Sequence, residues 1–272
     1  MKTAFIVPVS QLQRFATKSK YHLVLAHKVL ENKEYADFYR HRSIAGDFVI
    51  QDCSAFELGH PIETPKLLEA AEYTMASEIV CPDVLFDGEA TIASTKEFIK
   101  DYNKNYSYVT VKEKRPKLMA AIQGKNLVDY LRCHNAIYDM DVEGTQIDTM
   151  GLSFLGVEKV FPDMSPTLRR LMMLDLLYSN NILCLPMHML GIADNPVELK
   201  LINSIPYIRD MIRGNDSSSA YVHGSNNIRF DSTCGLTVPK IKTKINFEEK
   251  ITDEDMLWSI EHNIAVIKGW AA

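Results

Sequence analysis

Short apolar runs recur along the chain, separated by longer stretches with helical spacing. The runs span 23–25, 48–50, 78–81, 118–122, 147–152, 182–185 and 208–212, and 4–9 reads as a strand or strand lead-in before them. Apolar residues follow one another in these runs without alternating with polar ones. That is the pattern of parallel strands covered on both faces. Between the runs lie helix-start signals. Thr64-Pro65 opens a stretch with Leu67, Leu68, Ala71 and Met75 on one face, and Ser165-Pro166 does the same before Leu168, Leu171 and Met172. Asn195-Pro196-Val197-Glu198 reads as a capping box with proline, and Thr252 to Asp255 as another, opening a C-terminal helix over 252–268 with Met256, Ile260, Ile264 and Ile267 aligned.

Helix starts that follow strands this regularly imply repeated βαβ units and a parallel sheet. About seven or eight units in a chain near ~250 residues close most naturally into a (β/α)8 TIM-type barrel, here one α/β domain over 1–272. A doubly wound open sheet is the alternative, but it usually carries a glycine-rich loop after its first strand. Residues His27-Lys28-Val29-Leu30 follow Leu25 with no glycine among them.

Composition narrows the function classes. The chain has 272 residues, 46% hydrophobic and 24% charged, with a formal charge of 30 − 35 = −5. That mild acidity argues against a protein that coats nucleic acid non-specifically, while leaving room for a local basic groove. No stretch approaches the ~20 apolar residues of a membrane span, and the 4–9 run is too short for a signal-peptide core. Cys53, Cys81, Cys133, Cys184 and Cys234 are scattered and never spaced as CxxC, so neither a disulfide scaffold nor a metal site is expected. A cytoplasmic protein without cofactor or membrane partner is the expectation.

Barrel active sites sit where strands end. Asp52 to Glu57, Pro82-Asp83, Gln123-Gly124, Gly151, His188 to Gly191 and Asp216 to Ser219 follow successive runs. A single aspartate after a strand is often a helix cap or turn residue. Several acids and a glutamine on one rim instead suit glycosyl transfer, in which one carboxylate attacks or stabilises the anomeric carbon and another manages protons.

At these residues the sequence resembles the tRNA-guanine transglycosylase superfamily, and most closely the compact phage-type DNA-guanine transglycosylases that place 7-deazaguanines in DNA. Asp52-Cys53-Ser54-Ala55-Phe56-Glu57 resembles the family's Asp-Ser-Gly-Gly-Phe-Gln segment. Ala121-Ile122-Gln123-Gly124 resembles its Ile-Gln-Gly strand end, and 187–192 its Leu-Met-Gly-Val segment; Asp216-Ser217-Ser218-Ser219-Ala220 stands where the nucleophilic aspartate lies. The resemblance implies Asp216 as nucleophile and Asp52 as the proton-transfer carboxylate. It implies that Asp83 and Gln123 bind the base edge, that Gly151 lets the purine approach the backbone, and that Met189 stacks on it. Phe56 and His188, within matching segments, join the base-binding set.

Two departures stand out. The family's tRNA-type members carry a CxCxxC…His zinc site after the nucleophile strand, where this chain has only Cys234, and Ser-Ala-Phe-Glu replaces Gly-Gly-Phe-Gln. The missing zinc motif and short chain favour DNA over tRNA as polymer, with a free 7-deazaguanine as second substrate and a monomer as the working form. For the nucleic acid, Lys240, Lys242 and Lys244 alternate with Ile241, Thr243 and Ile245 as a basic strand over 240–247, and Arg209 and Arg213 flank the nucleophile strand. A second basic run, 112–117, precedes a strand and so lies away from the rim. Rival readings are a lyase or aldolase barrel, for which no strand-end lysine is present, and a base-binding barrel without catalysis.

Overall fold

The computed structural model describes residues 1–111 and 114–272. Ten strands occur among them: β1 (Lys2–Phe5), β2 (Tyr21–Leu25), β3 (Phe48–Asp52), β4 (Glu78–Val80), β5 (Lys117–Ala121), β6 (Asp141–Val142), β7 (Thr145–Gln146), β8 (Thr149–Ser153), β9 (Met187–Leu190) and β10 (Ile212–Ser217). Strands β6 and β7 form a small antiparallel hairpin. The other eight form one sheet in the order β1-β10-β9-β8-β5-β4-β3-β2, every ladder parallel. The two ends of that order, β1 and β2, lie side by side without a ladder between them. The result is a nearly closed, barrel-like parallel sheet, compatible with a (β/α)8 barrel.

Residues that point outward from the strands bury against helices. Val24, Val49 and Ile79 are wholly buried on that side, as expected of β-branched residues in a sheet covered on both sides. Helix Thr64–Thr74 buries Leu67, Leu68 and Ala71. Met75 falls off that face: it is the C-cap, at φ 52°, and half-exposed. Helix Glu254–Ala271 buries Leu257, Ile260, Ile264 and Ile267, and its cap is Asp253, which accepts from Met256 N–H, rather than Thr252.

Four local expectations fail for identifiable reasons. Residues 182–185 form no strand; β9 begins at Met187. Most of 208–212 is turn and the end of the short helix Pro206–Arg209, and β10 is the polar segment Ile-Arg-Gly-Asn-Asp-Ser. The strand with Arg213 and Asp216 on its inner side is thus the one an apolar pattern misses. Helix Pro166–Ser179 buries Arg170, Met173, Leu174 and Leu177 and leaves Leu168 and Met172 exposed. Its sequence is apolar nearly all round, so the Arg170 ion pair with Glu198 selects the buried face. Glu198 is therefore no capping-box partner, although Asn195 Oδ1 does accept from Val197 N–H. Among the described residues no helix is long and apolar enough to cross a membrane.

Candidate active site

Because all eight strands run parallel, their C-terminal ends share one mouth, and there the predicted acids meet. Asp52 is the last residue of β3, Asp83 and Gln123 follow β4 and β5 closely, and Asp216 lies near the end of β10. Gln123 Nε2 donates to Asp83 Oδ2 at 2.7 Å, and Gln123 Oε1 accepts from Phe86 N–H at 3.2 Å. The backbone donor thereby fixes which way the amide faces. Burial pushes Asp83 up, partly offset by its bond from Gln123.

After β3 the chain turns sharply. Ser54 sits in the left-handed region at φ 63°, a costly place for a residue with a Cβ, and its N–H donates to Asp52 Oδ2 at 2.7 Å. This turn launches the short helix Ala55–Leu58, which aims Glu57 toward the acids. Burial raises Asp52 well above the usual carboxylate range, and the charge of Glu57 adds to it. Glu57 is itself pushed up to about 7, first by burial and further by Asp216, with Lys244 opposing. Its Oε2 is buried without a hydrogen-bond partner.

Asp216 is 5% exposed, and two nitrogens approach its Oδ1. His188 Nε2 lies 3.0 Å away, and Gly191 N–H donates at 3.0 Å. Among the described residues no hydrogen bond falls on Oδ2. Gly191 has to be glycine, because φ is +68° and a Cβ would come within 2.9 Å of the Phe154 ring.

Other predicted residues fall differently. His188 points into the barrel, so by strand alternation Met189 faces outward, where it is fully buried, and cannot stack on a base at the mouth. Leu190 is the inward neighbour. Its Cδ1 lies 2.7 Å from where a Cβ on Gly151 would stand, so the space over Gly151 is filled by Leu190 rather than open to a purine. Phe56 stands exposed on the rim, edge-to-face with Phe154 at 6.0 Å.

The basic strand over 240–247 is not there: 240–246 is irregular chain. Lys240 Nζ donates to the carbonyls of Ile192 and Ala193 and lies 5.3 Å from the Phe154 ring. Lys244 Nζ donates to the carbonyl of Glu57 at 2.8 Å and lies 5.6 Å from the Phe56 ring. Lys242 alone of the three is solvent-exposed without such a tie. Arg209 precedes β10, at the opposite end from Asp216, and pairs with Asp210. Arg213 lies inside the barrel floor, bound to Glu78, Thr149 and Tyr21. Neither arginine can reach a phosphate at the acidic mouth. Lys112 of the second basic run lies outside the described residues. A hollow of about 500 Å³ lined by Cys184, Asp210, Met211 and Arg213 also opens at the floor end, remote from the acids.

Glu57, Leu190, Phe154 and Tyr21 belong to the site without having been singled out in the sequence. Leu190 could have been found by parity, since His188 and Met189 cannot both face inward. Among the described residues no group of three or more His, Cys, Asp or Glu side chains is placed to hold a metal ion. No protein-family model matches the chain, and no curated protein does.

Proposed function

We propose that this chain is a base-exchange transglycosylase on a single (β/α)8 barrel domain, replacing guanine in DNA by a 7-deazaguanine. One observation supports the reading above all others: a buried aspartate has one oxygen met by His188 Nε2 and by Gly191 N–H and, among the described residues, no hydrogen bond on the other, beside two carboxyls that burial raises above their ordinary range. In this reading Asp216 Oδ2 attacks the anomeric carbon of the target nucleotide. The bond from that carbon to the base nitrogen breaks, the electron pair leaves with the base, and Glu57 or Asp52 supplies the proton. A 7-deazaguanine then attacks the same carbon, returns its proton to that carboxylate, and releases Asp216. The Asp83–Gln123 pair offers acceptors and donors to the edge of a purine.

A base within a duplex is out of reach of this mouth, so the target must be flipped out or single-stranded. Exposed Phe56, with partly buried Phe154 edge-to-face beside it, is suited to stack on it, with Lys242 and Lys244 near the strand. The test mixes the protein with DNA or tRNA and a panel of 7-deazaguanines, then measures the mass of the digested nucleosides. Incorporation into DNA is expected. Incorporation into tRNA alone would overturn the choice of polymer, and none into either would overturn the reaction.

A further inference from the structure

Beneath Asp216 a buried chain of hydrogen bonds runs down the barrel axis. His188 Nδ1 lies 2.7 Å from the Tyr21 hydroxyl, and Arg213 Nε donates to that same hydroxyl at 3.2 Å. Arg213 is held in turn by Glu78, to which its Nη1 donates at 2.8 Å, and by Thr149 Oγ1 at 2.8 Å. Tyr21, Glu78, Thr149 and Arg213 come from β2, β4, β8 and β10, so four strands converge on one array.

The fold makes room for it deliberately. Ile212 pairs with Met187 and Gly214 with His188, so Arg213 is an extra residue in its ladder. A bulge of this kind re-aims a side chain, and here it turns Arg213 to the same side as Gly214 and Asp216. A Cβ on Gly214 would stand 2.9 Å from the Tyr21 ring, so the missing side chain is what lets the ring cross the barrel.

Donor counting fixes the protons. Arginine can only donate, so the Tyr21 oxygen accepts from Arg213. Burial pushes the Tyr21 hydroxyl far above the ordinary phenol range, with Arg213 opposing, so it keeps its hydrogen. That hydrogen has one acceptor within reach among the described residues, Nδ1 of His188. Were Nδ1 protonated, the phenolic hydrogen would be stranded in the interior. With Nδ1 accepting, the imidazole hydrogen sits on Nε2 and points at Asp216 Oδ1, which also accepts from Gly191 N–H as a carboxylate oxygen should.

We propose that Tyr21 is a positioning residue: clamped by Arg213, it locks His188 in the Nε2–H tautomer, so that His188 donates to Oδ1 of Asp216 and leaves Oδ2 as the one oxygen free to react. The tautomer follows from the array itself; its bearing on catalysis rests on the transglycosylase reading. Tyr21 touches no reacting atom and acts through His188. Without its hydroxyl the ring could take the other tautomer, and a lone pair would face the Asp216 carboxylate.

The test uses the full chain labelled with ¹⁵N-histidine, the His188 signals being assigned by their loss in His188→Asn. Wild-type protein should give one pyridine-type nitrogen, Nδ1, and one pyrrole-type nitrogen, Nε2. Tyr21→Phe should move His188 to a mixture of tautomers and slow turnover about 10-fold or more with little change in KM. A wild-type spectrum of the Nδ1–H tautomer or of the imidazolium would overturn the proposal, as would an unchanged tautomer in Tyr21→Phe. The wild-type spectrum decides the matter even if the variant does not fold. A locked tautomer in a protein that exchanges no base would uphold the role of Tyr21 and overturn the transglycosylase reading instead.

Discussion

Burial raises both Asp52 and Glu57; the charge of Glu57 raises Asp52 further, and that of Asp216 raises both. A carboxyl near 7 is suited to hand a proton to a departing base at neutral pH. Exchange that uses protonated Glu57 should fall as pH rises through about 7, and Glu57→Gln should lose that alkaline limb. The same shift bears on stability. The folded protein holds a proton on Glu57 that the unfolded chain releases near 4.5, so this contribution is full below 4.5 and is lost as pH climbs through about 7. Glu57→Gln should therefore stabilise the fold at pH 8 by on the order of 1–3 kcal/mol, and leave it nearly unchanged at pH 4, as measured by urea unfolding. At this scale the sequence was partly legible. Asp52, Asp83, Gln123 and Asp216 are short polar residues at strand ends, where position alone suggests chemistry. Tyr21 was not legible, because its partner Arg213 lies 192 residues away and only the curling of the sheet brings them together.

Helices and strands at the rim are held by one buried ion pair. Arg170 Nη2 meets Glu198 Oε2 at 2.5 Å with both side chains wholly buried. Arg170 also donates to the carbonyls of Leu152 and Leu190, and Glu198 accepts from Ala193 N–H. The pair thus ties the ends of β8 and β9 to the loop whose Gly191 N–H holds Asp216. Removing one partner strands a buried charge, so Glu198→Ala should cost about 3–5 kcal/mol in denaturant unfolding. Apolar runs located β2 to β5 and β8 because their outward residues pack on helices. They failed at β9 and β10, where inward-facing His188, Arg213 and Asp216 interrupt the pattern. The lysines at 240, 242 and 244 mimic strand alternation, yet Lys240 and Lys244 spend their hydrogen bonds on carbonyls of neighbouring loops.

At the scale of the whole molecule, strand β1 extends the parallel sheet beyond β10 and brings it round to β2. Strand β1 pairs with β10 from Lys2–Gly214 to Phe5–Ser217, and the Met1 amino group donates to Ala271 O at 2.9 Å. Without β1, β10 would become an open edge next to the mouth. Deleting 1–5 should abolish cooperative thermal unfolding followed by circular dichroism, and base exchange with it. The parallel, nearly closed sheet was readable from the regular succession of strands and helix starts. How closely Asp52, Asp83 and Asp216 converge on one mouth was not, since it depends on register and on the bulge at Arg213.

The measurement that bears most directly on the whole account is transfer of radiolabelled guanine into DNA by wild-type protein and by Asp216→Asn, with circular dichroism to establish that both are folded. Wild-type protein should incorporate label, and the variant should fall by at least about 10³-fold, since it lacks the attacking oxygen charge. A folded Asp216→Asn protein that exchanges guanine at the wild-type rate would remove Asp216 from the reaction and contradict the account.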